Sequence, residues 1–209
     1  MAERRRLVIA TTNPHKVDEF RQLLASAPFT LTSLSELGIS QDVPETGATF
    51  AENAIIKACA YADLSGLLTL ADDSGLEIDA LDGAPGVLSA RWAGPDVSYE
   101  TRNRLLVERL AGLPDERRGA RYRCSIAIAL PAPRGLVGEV DGVFEGRIAY
   151  EPAGHGGFGY DPIFYVPSQG RTVGQMTAEE KHAISHRALA ARAALPMLER
   201  LGDDESTPR

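Results

Sequence analysis

LLTLADDSGLEIDA, Leu67–Ala80, is the stretch on which the fold turns. Leu67 to Ala71 is an unbroken apolar run, the pattern of a strand buried on both faces, and it meets two adjacent carboxylates, Asp72 and Asp73, followed by Ser74 and Gly75. Beyond them Leu76, Ile78 and Ala80 alternate with Glu77 and Asp79, which suits a second, half-exposed strand. Asp-Ser-Gly is turn chemistry, so the segment reads as two strands joined by a turn, with a metal-binding acid pair as the alternative. Adjacent strand residues point to opposite faces, so one of Asp72 and Asp73 faces any given site.

Working outward, the chain alternates strands with helices. Leu7 to Ala10 is β-prone and stops at Thr11-Thr12-Asn13-Pro14, after which Val17, Phe20, Leu23 and Leu24 recur at helical spacing behind an Asn13 cap. Thr49 and Glu52 have capping-box spacing and open a second helix through Ala54, Lys57, Ala58 and Tyr61. Tyr99 to Leu110 is helical, and Tyr122, Cys124, Ile126, Ile128 and Leu130 alternate as the clearest strand. Thr177 and Glu180 open an alanine-rich helix that runs to about Leu201, and residues 202–209 form a polar, disordered tail. The expectation is one α/β domain, residues 1–201, on a mixed sheet.

Composition narrows the function classes. The 209 residues suffice for one substantial core, and 44% are hydrophobic. A formal charge of −7 argues against a duplex nucleic-acid binder, whose affinity rests on Lys and Arg at phosphates, but leaves a small phosphate ligand open. Cys59 and Cys124 are far apart and outside any metal or disulfide pattern, so both read as small buried hydrophobes. The apolar run after MAERRR is too short for a signal peptide or a membrane span, which points to a cytoplasmic protein with no membrane partner.

Five constellations could carry chemistry. In TTNPHK, Thr11–Lys16, a strand ends where a helix begins, a geometry that offers backbone N–H groups to an anion. Lys16 in the first turn opposes the helix dipole, a conflict that an anion would relieve. A plain cap with a solvated lysine is the other reading. Asp72 and Asp73 are hard oxygen ligands of the kind that hold Mg²⁺, and Glu45 in VPETGATF could complete the set. Asn53 and Lys57, four apart, share a helix face and can reach one place. GHGGFGYDPIF, Gly154–Phe164, places glycines around Phe158, Gly159, Tyr160 and Asp161, which is either a loop closing on a ligand or a tight turn. In EEKHAISHR, His182 and His186 have the spacing of a zinc pair but lack the Glu and third ligand of a zinc site, whereas Lys181, His186 and Arg187 are suited to gripping phosphate or a base carbonyl.

Together TTNPHK, ETGATFAENAIIKA, ADDSGLEIDALDGAPGVLSARWAG, GGFGYDPIF and KHAISHR, in that order, resemble the inosine triphosphate pyrophosphatase family, also called the Ham1 or RdgB family, over Leu7 to about Leu195. Trp92 stands where that family usually has Tyr, and His182 where Asn often follows the lysine. The resemblance implies an elongated, two-lobed α/β structure around a long mixed sheet with a nucleotide cleft between the lobes, usually a homodimer. It implies Mg²⁺-dependent hydrolysis of ITP, dITP and XTP to the monophosphate and pyrophosphate. By that resemblance Glu45 and Asp73 would bind Mg²⁺ and Asp73 would be the general base. The TTNPHK residues Thr11, Thr12, Asn13, Pro14, His15 and Lys16 would hold the substrate, with Lys57 and Ser74 nearby, and Phe158, Gly159, Tyr160, Asp161, Lys181, His186 and Arg187 would form the base slot. A Maf-like pyrophosphatase of different base specificity and a nucleotide sensor without turnover are the rival readings.

Overall fold

In a computed structural model, which describes residues 4–204, five α-helices and seven strands form an α/β structure. The strands make a mixed sheet in the order β2-β1-β3-β4-β5-β6-β7, where β1 is Arg6–Ile9, β2 Thr30–Ser33, β3 Leu68–Ile78, β4 Gly119–Leu130, β5 Gly135–Ile148, β6 Phe164–Val166 and β7 Arg171–Thr172. β1 is parallel to both β2 and β3, whereas β6 is antiparallel to β5 and β7. The helices are α1 Pro14–Leu23, α2 Phe50–Ser65, α3 Tyr99–Arg109, α4 Ala178–Ile184 and α5 His186–Asp203.

The chain divides into two compact units. The first comprises residues up to Asp73, Cys124–Gly142 and the chain from Arg187 onward; the second comprises Ser74–Arg123 and Val143–His186. In the first unit the period-two alternation of the strands feeds two cores. Leu7, Ile9, Leu68, Leu70, Cys124, Ile126 and Ile128 pack with Phe20 and Leu24 of the α1 region and with Ala190, Ala191, Ala194 and Leu198 of α5. Val8, Ala10, Ala71, Ala127 and Ala129 pack with Ala54, Ala58, Tyr61 and Ala62 of α2. Small side chains on both partners of this second core let α2 lie close to the strands. The second unit has its own core, including Leu76, Ile78, Leu106, Tyr122, Phe144, Ile148, Ile163 and Phe164.

Four expectations need correction. β3 does not turn at Asp-Asp-Ser-Gly but runs unbroken from Leu68 to Ile78. Turn propensity is weak against tertiary context, and here each carboxylate leaves the strand toward cations of its own. The single helix expected from Thr177 is two, interrupted at Ser185, whose ψ of 157° is extended. The last helix continues through Gly202 and Asp203, so the expected tail begins later; residues 205–209 of it lie outside the described chain. Cys124 is buried, but Cys59 is only partly so.

Candidate active site

Alternation along β3 sorts the acid pair. Asp73 follows Ala71 toward α2, and Asp72 follows Leu70 toward α1 and α5. On the α2 side, Asn53 Nδ2 donates to Asp73 Oδ2 at 3.1 Å, and Lys57 Nζ lies 2.6 Å from Glu45 Oε1 and 3.5 Å from Asp73 Oδ1. Two carboxylates thus share one ammonium. Burial raises the pKa of Asp73; Lys57 opposes the rise, and the Glu45 and Asp72 charges add to it. For Lys57, burial disfavours the charge, but Asp73, Asp72 and Glu45 outweigh it and hold the pKa above its ordinary value.

The loop that carries Glu45 is folded onto the start of α2. Thr49 Oγ1 accepts from the Glu52 amide at 3.1 Å, Glu52 accepts from the Ala48 amide at 2.6 Å, and Asn53 Oδ1 accepts from the Gly47 amide at 2.8 Å. Gly47 is required by this approach: a Cβ there would meet Glu52 Cβ at 2.6 Å and Asn53 Oδ1 at 2.9 Å.

On the other face, Asp72 is enclosed with Lys16 Nζ at 2.8 Å and Arg187 at 3.3 Å, and Arg187 also meets Glu19 at 2.5 Å. Burial would raise the Asp72 pKa, but Lys16, Arg187 and Lys57 together hold it well below the usual carboxylate range. The dipole conflict read at Lys16 is therefore met by the protein's own anion. The start of α1 is likewise met from within the chain: Asn13 Oδ1 accepts from the His15 amide at 3.0 Å, and Thr11 Oγ1 accepts from the amide of the Asn13 cap at 3.2 Å. Thr12, Pro14 and His15 are exposed beside them.

The second unit gathers a different set around Asp161. Its Oδ2 accepts from Lys181 Nζ at 2.8 Å and from the Phe158 amide at 2.9 Å, and its Oδ1 accepts from the Tyr122 hydroxyl at 3.1 Å. Lys181 Nζ also stands 4.6 Å from the centre of the Phe158 ring. The Tyr122 ring stacks on His186 with centroids 4.6 Å apart and a 13° tilt. Tyr160 donates to the Ser89 carbonyl at 2.7 Å, and Gly159 presents its carbonyl to Asn103 Nδ2 at 3.1 Å. Two of the glycines read as room for a ligand are demanded by the chain itself. A Cβ on Gly154 would run into the Gly174 carbonyl and one on Gly157 into the Asp161 carboxylate, and both have positive φ.

The structure thus brings Glu45, Lys57 and Asp73 together, places Lys16 with Asp72, and gathers Phe158, Asp161 and Lys181 into one cluster. It buries Lys181 and Arg187 instead of leaving them exposed at a helix start. Their side chains are 7% and 2% exposed, and each is committed to a carboxylate, Lys181 to Asp161 and Arg187 to Glu19 and Asp72. Ser74 is half-buried directly after Asp73. Glu19, Tyr122 and Asn103 escape a sequence reading, since a Glu in an amphipathic helix, a Tyr in a strand and an Asn in a polar helix carry no motif.

The chain matches the model of the Ham1 family over residues 7–197. It is 52% identical over 198 residues to a dITP/XTP pyrophosphatase of Symbiobacterium thermophilum, covering 94% of this chain and 95% of that protein. It is 44% identical over 192 residues to the dITP/XTP pyrophosphatase of Bacillus subtilis, covering 92% and 96%. Among solved structures, a HAM1 protein from Coxiella burnetii superposes with a TM-score of 0.83 at 43% identity, covering 93% of this chain and 98% of that one. The family-model match and the similarity along nearly the whole length agree, and the chain belongs to the Ham1 family.

Proposed function

We propose that the protein hydrolyses non-standard purine nucleoside triphosphates, dITP, XTP and ITP, to the monophosphate and pyrophosphate, clearing them from the nucleotide pool. The observation that carries this reading is the Asp73–Lys57–Glu45 cluster: two carboxylates around one ammonium, with Asp73 raised in pKa by burial. A carboxylate so placed can orient an attacking water and take its proton. The named activity of the relatives, dITP/XTP pyrophosphatase, supports the same reaction.

The donor set fits Mg²⁺. Glu45 and Asp73 offer hard oxygens, and the negative charge that draws the Lys57 ammonium between them supports a cation there. Mg²⁺ is commonly held by one or two carboxylates together with substrate phosphates and water, which a pair such as Glu45 and Asp73 suits. When bound, Mg²⁺ would neutralise charge on the phosphates. Lys57 adds a second positive charge there, and by the family resemblance Lys16, here paired with Asp72, would hold the triphosphate together with Thr11 and Asn13.

In the second unit Phe158 offers a stacking face, held by the Asp161 contact to its amide; an ammonium carries three N–H donors, so the Lys181 bond to Asp161 is compatible with a second one favouring a 6-oxo over a 6-amino purine. A donor left unpaired against adenine is penalised. Assembly as a homodimer and a cytoplasmic location follow the family resemblance; the described residues include no helix long and apolar enough to cross a membrane.

Pyrophosphate release with Mg²⁺, comparing XTP, dITP and ITP with GTP and ATP, tests the reading, with Asp73→Asn alongside. Turnover of the first three, little of the last two and loss in the variant are expected. Equal turnover of all five overturns the specificity, and an active Asp73→Asn overturns the catalytic role.

A further inference from the structure

We infer that Asn53 is a positioning residue that fixes both acids of the site, locking the Asp73 carboxylate and anchoring the loop that carries Glu45. The inference rests on the proposed hydrolase reading for its kinetic arm only.

Asn53 is 0% exposed, and its side chain makes two bonds in opposite senses. The Gly47 amide can only donate, so the atom 2.8 Å away is the Asn53 carbonyl oxygen. This fixes the amide's orientation and leaves Nδ2 as the group 3.1 Å from Asp73 Oδ2. An amide is the side chain that serves here: a carboxylate could accept from Gly47 but would have no proton for Asp73 at neutral pH, and an aliphatic residue could do neither.

The consequence for the site is directional. One Asp73 oxygen is occupied by Asn53, which pins the carboxylate's rotation and turns Oδ1 toward Lys57. The Gly47 bond, two residues beyond Glu45, ties the loop to the same helix turn, where the Ala48 and Thr49 bonds already hold it. Asn53 and Lys57, one turn apart on α2, therefore set the two carboxylates from two directions: Lys57 by charge, Asn53 by a fixed hydrogen-bond pattern. A carboxylate free to rotate would spend much of its time misaligned, and misplacement of a reacting group lowers the rate of the chemical step more than substrate affinity.

Asn53→Asp keeps the acceptor for Gly47 and removes the donor to Asp73; Asn53→Ala removes both. With wild type turning over XTP, both variants, folded by circular dichroism, are expected to lose kcat by at least about 30-fold while KM changes less than about 3-fold, a split that a general loss of stability does not produce. Binding of Mn²⁺ with a non-hydrolysable nucleotide, read by calorimetry, is expected to weaken about tenfold or more in Asn53→Ala. A kcat within about 2-fold of wild type in both variants overturns the inference, as does a fall in melting temperature with kcat unchanged below it. If wild type hydrolyses no nucleotide, the hydrolase reading fails by itself, and Asn53 is then judged on Mn²⁺: weakened binding sustains its role and equal binding ends it.

Discussion

Asp161 and Lys181 offer a sharp energetic test, because their charges are almost wholly enclosed, 3% and 7% exposed, and lie 2.8 Å apart. Removing one partner of a buried pair leaves a stranded charge and costs about 3–5 kcal/mol. Lys181→Met sits at the lower end, about 3 kcal/mol, because Asp161 keeps its bonds from Tyr122 and the Phe158 amide. Asp161→Asn costs less, about 2 kcal/mol. Its carbonyl can still accept from Lys181 and Phe158, and its NH₂ can donate to the Tyr122 hydroxyl, so bond number is kept and charge assistance is lost. The double variant strands neither charge and is expected to cost about 2–3 kcal/mol instead of about 5, a coupling of about 2–3 kcal/mol. Trp92, the single tryptophan, packs against the second unit's core and reports its unfolding by fluorescence. With a urea slope of about 2 kcal/mol/M, Lys181→Met should lower the midpoint by about 1.5 M. Additive losses, within about 0.5 kcal/mol, would refute the reasoning that each of these buried charges depends on the other.

Three further outcomes follow from other sites. Gly154→Ala should cost about 3 kcal/mol or more, because positive φ and the Gly174 backbone both oppose a Cβ, whereas Gly159→Ala, with nothing nearer than Tyr99 at 3.6 Å, should cost about 1 kcal/mol; equal melting temperatures would contradict this. Glu36 is held from 4.5 down to about 2 by the Ser33 amide and then Arg21, so its contribution is full above about pH 4.5 and fades as pH falls toward 2. The melting-temperature gap between wild type and Glu36→Gln should accordingly be constant near neutrality and narrow below pH 4.5; a gap that widens on acidification has the wrong sign. Asp73→Asn should abolish turnover yet keep nucleotide binding by calorimetry, and loss of binding with it would make Asp73 chiefly a ligand holder.

The elements with strong local signals were legible. Asn13 with Pro14 and Thr49 with Glu52 cap helices through their own side chains, and β4 declares itself by alternation, because caps and periodicity are set by neighbours in sequence. The acids and cations of the site were legible as residue types in ordered motifs. Local chemistry also marked Asp72-Asp73-Ser74-Gly75 as a turn and Thr177 to Leu201 as one helix, and there it misled. β3 continues because Lys16 and Arg187 receive one carboxylate and Asn53 and Lys57 the other, partners remote in sequence that no window around β3 contains. For the same reason only the tertiary structure decided which acid faces α2, that Arg187 and Lys181 are committed to buried carboxylates, and that Gly154 and Gly157 are required by Gly174 and Asp161. The sequence by itself determined the inventory of charges and the places where backbone can begin a helix or bend. Their pairing depended on long-range packing: burial pushes both aspartates up, and the cations that packing brings onto Asp72 reverse that push there but not at Asp73, so an adjacent pair becomes two groups of opposite pKa shift.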